Sequence, residues 1–361
     1  MHYELSSLLG ALVKYQASDL HLKPGRPPIL RIHGNLVAAK TDAITGDELV
    51  ELVLGALSER QQMMLEGARH VDLSLQYSEQ GRFRMNAYYE RGNLCAAIRR
   101  VPTEIPTLSG LALPEAIRKV CELQQGLVLV TGSTGSGKST TLAALVHELN
   151  QTRSLHILTL EDPIEFIHRD HSCTLTQREV GSDVLSFDDG LIAGLRQDPD
   201  VIVMGELRDV STIRSALTAA ETGHLVFATL HTMSARNTIE RVIDSFPPDA
   251  QPHARLQLAS TLQAIFCQKL IPTANAENGR VCAMEILFKS PTVEQQILNH
   301  QIEKITDTIS SSREYYKMQS MNQALIMLVE GGQITQETAL KSTLQPDELK
   351  MRFAGFTRDE K

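Results

Sequence analysis

Two kinds of hydrophobic pattern follow one another along the chain. Up to about residue 100, apolar and polar positions alternate, as in residues 29–33 and 82–89, which is typical of strands in a half-exposed sheet. From residue 126 onward, short continuous apolar runs alternate with helical segments, which is typical of buried parallel strands covered by helices. The change of pattern predicts an N-terminal α+β domain over 1–100, a linker over 101–125 and an α/β domain over 126–361.

The same patterns predict individual elements. In the second domain they predict strands over 126–131, 155–160, 201–204 and 225–230, helices over 140–149 and 209–221, and, beyond residue 247, a mostly helical chain with one strand over 280–287. The N-terminal domain is predicted to begin with an amphipathic helix and to contain further helix over 46–66. Residues 101–114 hold three prolines and one glycine, so a semi-rigid linker is expected there.

Composition narrows the class of protein. With 361 residues, 42% of them hydrophobic and 22% charged, each domain is able to bury a core of its own. The net charge of -8 argues against broad nucleic-acid binding, although a local basic groove stays compatible with it. The five cysteines form no CxxC pair, so we predict neither a zinc site nor disulfides and expect a reduced, cytoplasmic protein. No apolar run approaches the roughly 18 residues of a membrane span.

A glycine-rich loop stands between the predicted strand 126–131 and the predicted helix 140–149. Residues 132–139, GSTGSGKS, fit the phosphate-binding pattern G-x-x-x-x-G-K-[ST], and the strand–loop–helix context favours a P-loop over a plain glycine turn. Lys138 is expected to reach the terminal phosphates of ATP, and the Ser139 hydroxyl to ligate Mg²⁺. The predicted nucleotide-binding residues are Gly132, Ser133, Thr134, Gly135, Ser136, Gly137, Lys138, Ser139 and Thr140.

Acidic residues follow two of the predicted strands. Glu206 ends the apolar run 200–206, where it would lie beside the P-loop, near magnesium or the attacking water, as in a Walker B motif. Glu161, Asp162 and Glu165 follow the strand 155–160 and could hold water at the metal or orient the nucleophile. Spacing alone does not choose among these three. The alternatives are a surface acid at a strand tip and an ordinary acidic loop.

Two histidines bracket the predicted strand 225–230. His231 follows it, at the same sheet edge as Glu206, and could sense the terminal phosphate by hydrogen bonding. His224 precedes it and is expected to have a structural role. No companion ligands share their spacing, so metal ligation is not predicted.

Arginines are concentrated on the strands of the N-terminal domain, at Arg82, Arg84, Arg91, Arg99 and Arg100. The planar, permanently charged guanidinium is suited to bridging to a phosphate of another subunit, and a P-loop ATPase often needs such a finger. A solvated sheet face is the alternative explanation.

Taken together, these motifs resemble those of the secretion ATPases of type IV pilus and type II secretion systems. The matching segments are the Walker A motif at 132–140, the Asp box at 160–166, the Walker B motif at 195–209, the His box at 218–232 and the segment ASDLHLKPG at 17–25. The motifs occur in the family's order and span nearly the whole chain. Within the family, the sequence is most similar to the branch of pilus retraction ATPases, PilT and PilU, because it lacks a long N-terminal extension and a four-cysteine insert.

The resemblance implies a RecA-like P-loop ATPase domain, a smaller N-terminal PAS-like domain, a helical C-terminal region and a homohexameric ring with nucleotide between the two domains. It also implies site roles: Glu165 as general base, Glu206 as the Walker B acid and a metal ligand beside Ser139, His224 and His231 as the His-box pair, and Arg84 and Arg99 as arginine fingers, with Arg82 and Arg100 as close rivals.

The function so implied is an ATP-hydrolysing motor for type IV pilus retraction and twitching motility. Its partner would be an inner-membrane pilus platform protein, with a paralogous retraction ATPase as a further partner, at the cytoplasmic face of the inner membrane. Residues 292–297 match a helix needed for retraction but lack its arginine, and residues 346–353 are similar to PilU. An accessory ATPase, an assembly or type II secretion ATPase, a nucleotide-gated scaffold and a nucleic-acid translocase stay as alternatives.

Overall fold

A computed structural model describes residues 3–32, 34–77, 81–101, 104–274 and 279–355. The chain divides into two compact units, Met1–Glu104 and Ile105–Lys361. Within the described ranges, no helix is both long and apolar enough to cross a bilayer.

The strands are β1 (Asp19–Leu22), β2 (Ile29–Ile32), β3 (Asn35–Ala38), β4 (His70–Tyr77), β5 (Gly81–Glu90), β6 (Asn93–Val101), β7 (Gly126–Thr131), β8 (His156–Glu161), β9 (Thr174–Glu179), β10 (Val201–Met204), β11 (Leu225–Leu230), β12 (Leu262–Pro272) and β13 (Arg280–Phe288).

The helices are α1 (Leu5–Lys14), α2 (Gly46–Leu54), α3 (Glu59–Ala68), α4 (Lys138–Thr152), α5 (Phe187–Gly194), α6 (Val210–Glu221), α7 (Ala235–Asp244), α8 (Gln251–Thr261), α9 (Pro291–Leu298), α10 (Ile305–Ser311), α11 (Arg313–Tyr316), α12 (Met321–Glu330), α13 (Gln336–Ser342) and α14 (Pro346–Phe353), with 3₁₀ helices over Glu115–Glu122 and Ile302–Lys304.

The first unit is built on an antiparallel sheet in the order β3-β2-β1-β6-β5-β4. Along β5, Phe83 and Met85 are fully buried, whereas Arg82 and Arg84 lie on the opposite, partly exposed face. This period of two is what the alternating sequence predicts. The predicted helix over 46–66 is two helices, because Ser58 starts α3 with its own capping box to Gln61.

The second unit is built on a sheet in the order β13-β12-β7-β11-β10-β8-β9, parallel except for the β12–β13 pair. Every residue of β7, β10 and β11 is buried, and hydrophobic cores cover both faces of the sheet. Helix α4 packs in one core, and α6, α7 and α8 pack in the other. The predicted α/β domain and the smaller N-terminal α+β domain are both present.

Strands β9 and β12 were not predicted from the sequence. The β9 segment, TLTQRE, is polar because it is paired with β8 alone, at the edge of the sheet. β12 starts at Leu262 directly after α8 ends at Thr261, so no turn residue separates the two elements. The chain beyond residue 247 is therefore less helical than the pattern suggests.

Residues 105–125 belong to the second unit. In this segment, for which the sequence predicts a linker, Ile117, Val120 and Cys121 are buried in the core on the α4 side of the sheet. Residues 292–297 lie within α9, whose Val293 and Ile297 are buried on the other side.

The C-terminal helices α12, α13 and α14 cover the outer end of the β12–β13 pair. Ile271 of β12 and Ala283 of β13 share a core with Leu325, Ala339 and Leu349 of these helices. Lys269 Nζ of β12 also donates a hydrogen bond to the carbonyl oxygen of Ser342 at the end of α13, over 2.7 Å.

One buried side chain, Asn150 on α4, holds the segment that leads from the acidic loop into β9. Its Nδ2 donates to the carbonyl oxygen of Arg169 (2.7 Å), and its Oδ1 accepts from the amides of His171 (3.1 Å) and Cys173 (3.2 Å). Asn150 is only 2% exposed. Three backbone groups of one loop thus depend on a single amide side chain.

In an Asn150→Ala variant, these backbone groups lose their partner, and each buried group left unsatisfied costs about 1–3 kcal/mol. We expect the loop to open more often, so that trypsin cuts after the exposed Arg169 roughly tenfold faster than in the native chain. Thr152→Ala is the matched control, because it removes only a local bond from Thr152 Oγ1 to the carbonyl oxygen of Glu148. Equal cleavage rates in the two variants would contradict the role given to Asn150.

Candidate nucleotide site

The predicted P-loop is a tight turn between β7 and α4. Gly132 has φ +143°, and a Cβ at this position would lie 2.4 Å from the carbonyl oxygen of Gln268 and 2.6 Å from Ser136 Oγ. Gly137 precedes α4 with φ +91° and provides no side-chain cap. The first N–H groups of this 15-residue helix are therefore left for an anion, which the helix dipole also favours.

Lys138 places a cation at the centre of this loop. Its Nζ donates to the carbonyl oxygens of Gly132 (2.9 Å) and Ser133 (3.2 Å), and the residue is 9% exposed. Burial lowers the pKa of the ammonium group, and the nearby carboxylates Glu206 and Glu165 act in the opposite direction. The charge is thus held inside the loop, close to two acids.

A cavity of about 410 Å³ lies along the carboxyl edge of the sheet, where the loops after β7, β8, β10 and β11 meet. Parallel strands all end at the same edge, so these loops necessarily come together. The polar residues that line the cavity are Thr134, Lys138, Ser139, Thr140, Thr159, Glu161, Asp162, Glu165, His168, Glu206, Arg208, Thr229, His231 and Arg280.

Glu206 is the centre of a charged network in this cavity. Its Oε1 lies 2.9 Å from His231 Nε2, and its Oε2 accepts a hydrogen bond of 2.9 Å from Arg208 Nε. Arg208 Nη1 in turn donates to Asp162 Oδ2 over 3.3 Å. The network ties together the ends of β8, β10 and β11.

The three acids after β8 have different surroundings, which spacing alone does not reveal. Glu161 accepts from Thr159 Oγ1 (2.7 Å), Gln177 Nε2 (3.2 Å) and the amide of Glu165 (3.4 Å). Burial raises the pKa of Glu161, and these bonds oppose the rise. It therefore shapes the loop from inside.

Asp162 is paired with Arg208, whereas Glu165 is exposed and lines the cavity. Among the described residues, no hydrogen bond to the Glu165 carboxylate is found. Of the three acids, Glu165 is therefore the one placed to receive a proton from a reacting water.

The structure brings most of the predicted residues of the second unit together. Lys138, Ser139, Glu165, Glu206 and His231 line the cavity, and Gly132, Ser133 and Ser136 form the loop behind it.

His224 is the exception in this unit. It precedes β11 while His231 follows it, so about six residues of strand, on the order of 20 Å, separate the two. Its Nδ1 lies 2.9 Å from the carbonyl oxygen of Ala219 at the end of α6. The structure therefore does not bring His224 to the cavity of its own chain.

The predicted arginine fingers lie in the first unit. Arg84 on β5 and Arg99 on β6 are directly opposite each other in the antiparallel register. Arg84 Nη2 is 3.5 Å from Asp72 Oδ1, and Arg99 Nε donates to Asp19 Oδ1 over 2.8 Å. Of the two rivals, Arg82 pairs with Val101 in the register and Arg100 with the fully buried Phe83.

Two arginines that line the cavity were missed in the sequence. Arg208 lies within the Walker B segment, two residues after Glu206. Its short distance from that acid in the sequence could have predicted that the two side chains pair. Arg280 begins β13 and lines the cavity, but no motif singles it out.

The oxygen donors of the cavity fit a magnesium ion. Ser139 lies in the first turn of α4, and Glu206 and Asp162 line the same space, so a hydroxyl and two carboxylates are available. These are the hard oxygen ligands that Mg²⁺ prefers, used together with nucleotide phosphates.

Comparison with known proteins agrees with the motifs. The family model for type II/IV secretion system proteins matches residues 5–355. The type IV pilus retraction ATPase PilT of Pseudomonas aeruginosa is 40% identical over 344 residues, covering 95% of this chain and 99% of that protein. PilU, a type IV pilus ATPase of the same species, is 37% identical and covers 96% of this chain and 91% of its own length.

A crystal structure of the pilus retraction motor PilT with bound ADP has 41% sequence identity to the chain. It matches at a TM-score of 0.91 and covers 96% of this chain and 99% of that one. The chain therefore belongs to the family of type II/IV secretion system proteins.

Proposed function

We propose that this protein is a motor that hydrolyses ATP to power the retraction of type IV pili. The observation that carries the proposal is a single cavity in which a P-loop lysine, Lys138, faces two carboxylates, Glu165 and Glu206. The similarity to PilT over nearly the whole chain supports the direction of the work.

In the proposed reaction, the triphosphate binds against the N–H groups at the start of α4, and Lys138 exchanges the carbonyl oxygens of Gly132 and Ser133 for phosphate oxygens. Glu165 orients a water and accepts its proton as the water oxygen bonds to the γ-phosphorus and the bond to the β–γ bridging oxygen breaks. ADP and phosphate leave. Ser139 and Glu206 would hold a magnesium ion, whose positive charge would stabilise the phosphate oxygens.

His231 gives this site a means to report the nucleotide state. It is bonded to Glu206 and lies in the loop that starts α7, so a change at Glu206 acts on that helix. A motor needs such a link, because ATP performs work only if ATP and ADP favour different arrangements of the protein.

Arginines of the first unit complete the site from a neighbouring copy in a homohexamer. The Arg99 side chain is 71% exposed, although it is bonded to Asp19, so its guanidinium is accessible from solvent. Arg84 lies beside it on the next strand and is the second candidate. Both would act on the phosphates in trans.

In the cell, the ring is proposed to work on the cytoplasmic face of the inner membrane and to turn an inner-membrane pilus platform protein. The 37% identity to PilU favours an accessory retraction motor as the second candidate function. Such a motor would act together with a paralogous retraction ATPase.

Glu165→Gln is expected to lower kcat about 10²- to 10⁴-fold, because the proton acceptor is lost, while ATP affinity is retained. Asp162→Asn should have a smaller effect, since Asp162 is paired with Arg208. Steady-state hydrolysis and nucleotide titration measure the two quantities. Glu122→Gln, an exposed acid outside the cavity, is the control. A larger loss in Asp162→Asn than in Glu165→Gln would show that the wrong acid was chosen.

The arginine proposal is tested by mixing two inactive variants. Rings of Lys138→Ala chains and rings of Arg99→Ala chains should each have lost hydrolysis. Mixed rings should regain it, because a Lys138→Ala chain supplies its arginine to an intact P-loop next door. With a head-to-tail interface and random assembly, roughly a quarter of the sites become complete. The same is expected for Arg84→Ala, whereas Lys40→Ala should be active alone. Mixed rings that stay inactive would argue against action in trans.

The direction of work is tested in cells. Deletion of the gene should leave an excess of surface pili that do not retract, which electron microscopy of sheared or whole cells can count. Cells without pili would instead point to an assembly ATPase. A phenotype that appears only when a paralogous retraction ATPase is also removed would favour the accessory motor.

A further inference from the structure

A buried carboxylate lies outside the cavity that holds the nucleotide-site residues. Glu285, in the middle of β13, is 7% exposed, and no ion pair to it is found among the described residues. A buried acid without a cation is costly unless hydrogen bonds stabilise its charge. The neighbours of Glu285 should therefore explain why a carboxylate is buried at this position.

Glu285 lies beside the first residues of two helices, and a hydrogen bond joins it to one of them. Its Oε1 accepts a hydrogen bond of 2.7 Å from the amide of Ala235, the first residue of α7. The amide of Met321, the first residue of α12, also lies close enough to favour the carboxylate form. Burial raises the pKa of Glu285, and these two amides act against that rise. Helix N-termini are the natural partners of a negative charge.

The register of the sheet connects Glu285 to the nucleotide site. Glu285 is opposite Cys267 on β12, Cys267 is opposite Thr131 on β7, and Thr131 is opposite Leu230 on β11. This row of four residues is the last one before the loops begin, because Gly132 follows Thr131 and His231 follows Leu230. Glu285 therefore lies level with the point where both loops leave the sheet.

The loop that carries His231 is short and held at both ends. Its four residues, 231–234, connect the end of β11 to the start of α7 at Ala235. Within it, Thr232 Oγ1 lies 2.6 Å from Thr238 Oγ1, and Ser234 Oγ accepts from the amide of Asn237. The position of α7 thus sets the position of His231, and Glu285 fixes the start of α7.

The other helix leads to the C-terminal region. The segment before α12 is bonded to β13 on both sides of Glu285, since Gln319 Nε2 donates to the carbonyl oxygen of Met284 and Gln319 pairs with Ile286 through backbone bonds. Helix α12 is the first of the helices that cover the β12–β13 pair. Glu285 thus bonds to the first residue of the histidine loop's helix, and the residues on either side of it in β13 bond to the segment that leads into the C-terminal helices.

We infer that Glu285 is a positioning residue for His231, and that it connects the His231 loop to the C-terminal helices through the first turn of α12. The inference rests on the proposed role of His231 in ATP hydrolysis. It adds a physical connection through which a change in the contacts of Glu206 would alter the C-terminal helices.

The kinetic test is a double-mutant cycle of Glu285→Gln with His231→Asn. The glutamine amide has nearly the shape of the carboxylate, but it offers one acceptor oxygen in place of two and carries no negative charge. Its NH₂ group cannot accept a hydrogen bond from a helix N-terminus, so the hold on α7 is weakened. We expect Glu285→Gln to lower kcat about tenfold at unchanged KM in the native background, and less than twofold in the His231→Asn background. Equal losses in both backgrounds, or no loss in either, would overturn the inference.

The control is Gln257→Ala. This α8 side chain is also 7% exposed and bonds to Glu221, so its loss disturbs a comparable buried polar contact. It should lower the melting temperature without changing kcat, and its effects should add to those of His231→Asn.

A second readout needs no hydrolysis and separates this inference from the proposed function. Hydrogen exchange on the full-length protein, without nucleotide, should quicken in Glu285→Gln at both 231–238 and 321–325, and in His231→Asn at the first segment alone. A change at only one segment in Glu285→Gln would refute the link. If Glu285→Gln does not fold, Glu285→Asp carries the same tests, and loss of the fold in both would make Glu285 a folding residue instead. If the native protein does not hydrolyse ATP but Glu285→Gln still quickens exchange at both segments, the proposed function is refuted and the connection between the His231 loop and α12 stands.

Discussion

The backbone of Gly132 runs so close to strand β12 that no side chain fits between them. A methyl group there would lie 2.4 Å from the carbonyl oxygen of Gln268, well inside contact distance. This approach fixes the point at which the P-loop leaves the sheet. Lys138 bonds back to the same glycine's carbonyl oxygen, so the position of the cation depends on it too. The β12–β13 pair is therefore part of the foundation of the nucleotide site.

The acids of the site owe their different tasks to different neighbours. Glu161 is held by Thr159 and Gln177 and shapes the loop, whereas Asp162 and Glu206 share Arg208. Glu165 also lines the cavity, but no hydrogen bond to its carboxylate is found among the described residues. A sheet of parallel strands brings four carboxylates within one cavity, and the side chains around each of them decide which one does chemistry.

The strands that lie deepest were the easiest to predict. The bounds of β7, β10 and β11 agree with the sequence-based expectation, because strands buried on both faces must be continuous apolar runs. Strand β12 was not predicted, because α8 leads into it without a turn and because the polar pair Gln268 and Lys269 interrupts its apolar run. A polar residue stands at position 268 because Gln268 Nε2 donates a hydrogen bond to Thr141 Oγ1 of α4.

The sequence predicted those residues of the site that belong to recognisable motifs. Motif spacing found Lys138, Glu206 and His231, because a strand, a turn and a residue type together restrict where each can lie. It could not rank Glu161, Asp162 and Glu165, since their roles depend on contacts with Arg208 and Gln177 from other parts of the chain. The resemblance to the secretion ATPases grouped His224 with His231 in the His box, and the structure places the two at opposite ends of β11.

The opposed arginines of the first unit have a further consequence. Arg84 and Arg99 stand side by side on neighbouring strands, where two like charges repel, and each is balanced by an aspartate, Asp72 or Asp19. Burial pushes the pKa of Asp19 up, but the bonds from Arg99 and Ser18 outweigh it and keep the carboxylate charged. If Arg99 acts on a phosphate as proposed, its guanidinium must either be shared between the phosphate and Asp19, which it bonds through Nε, or leave the Asp19 carboxylate without this partner.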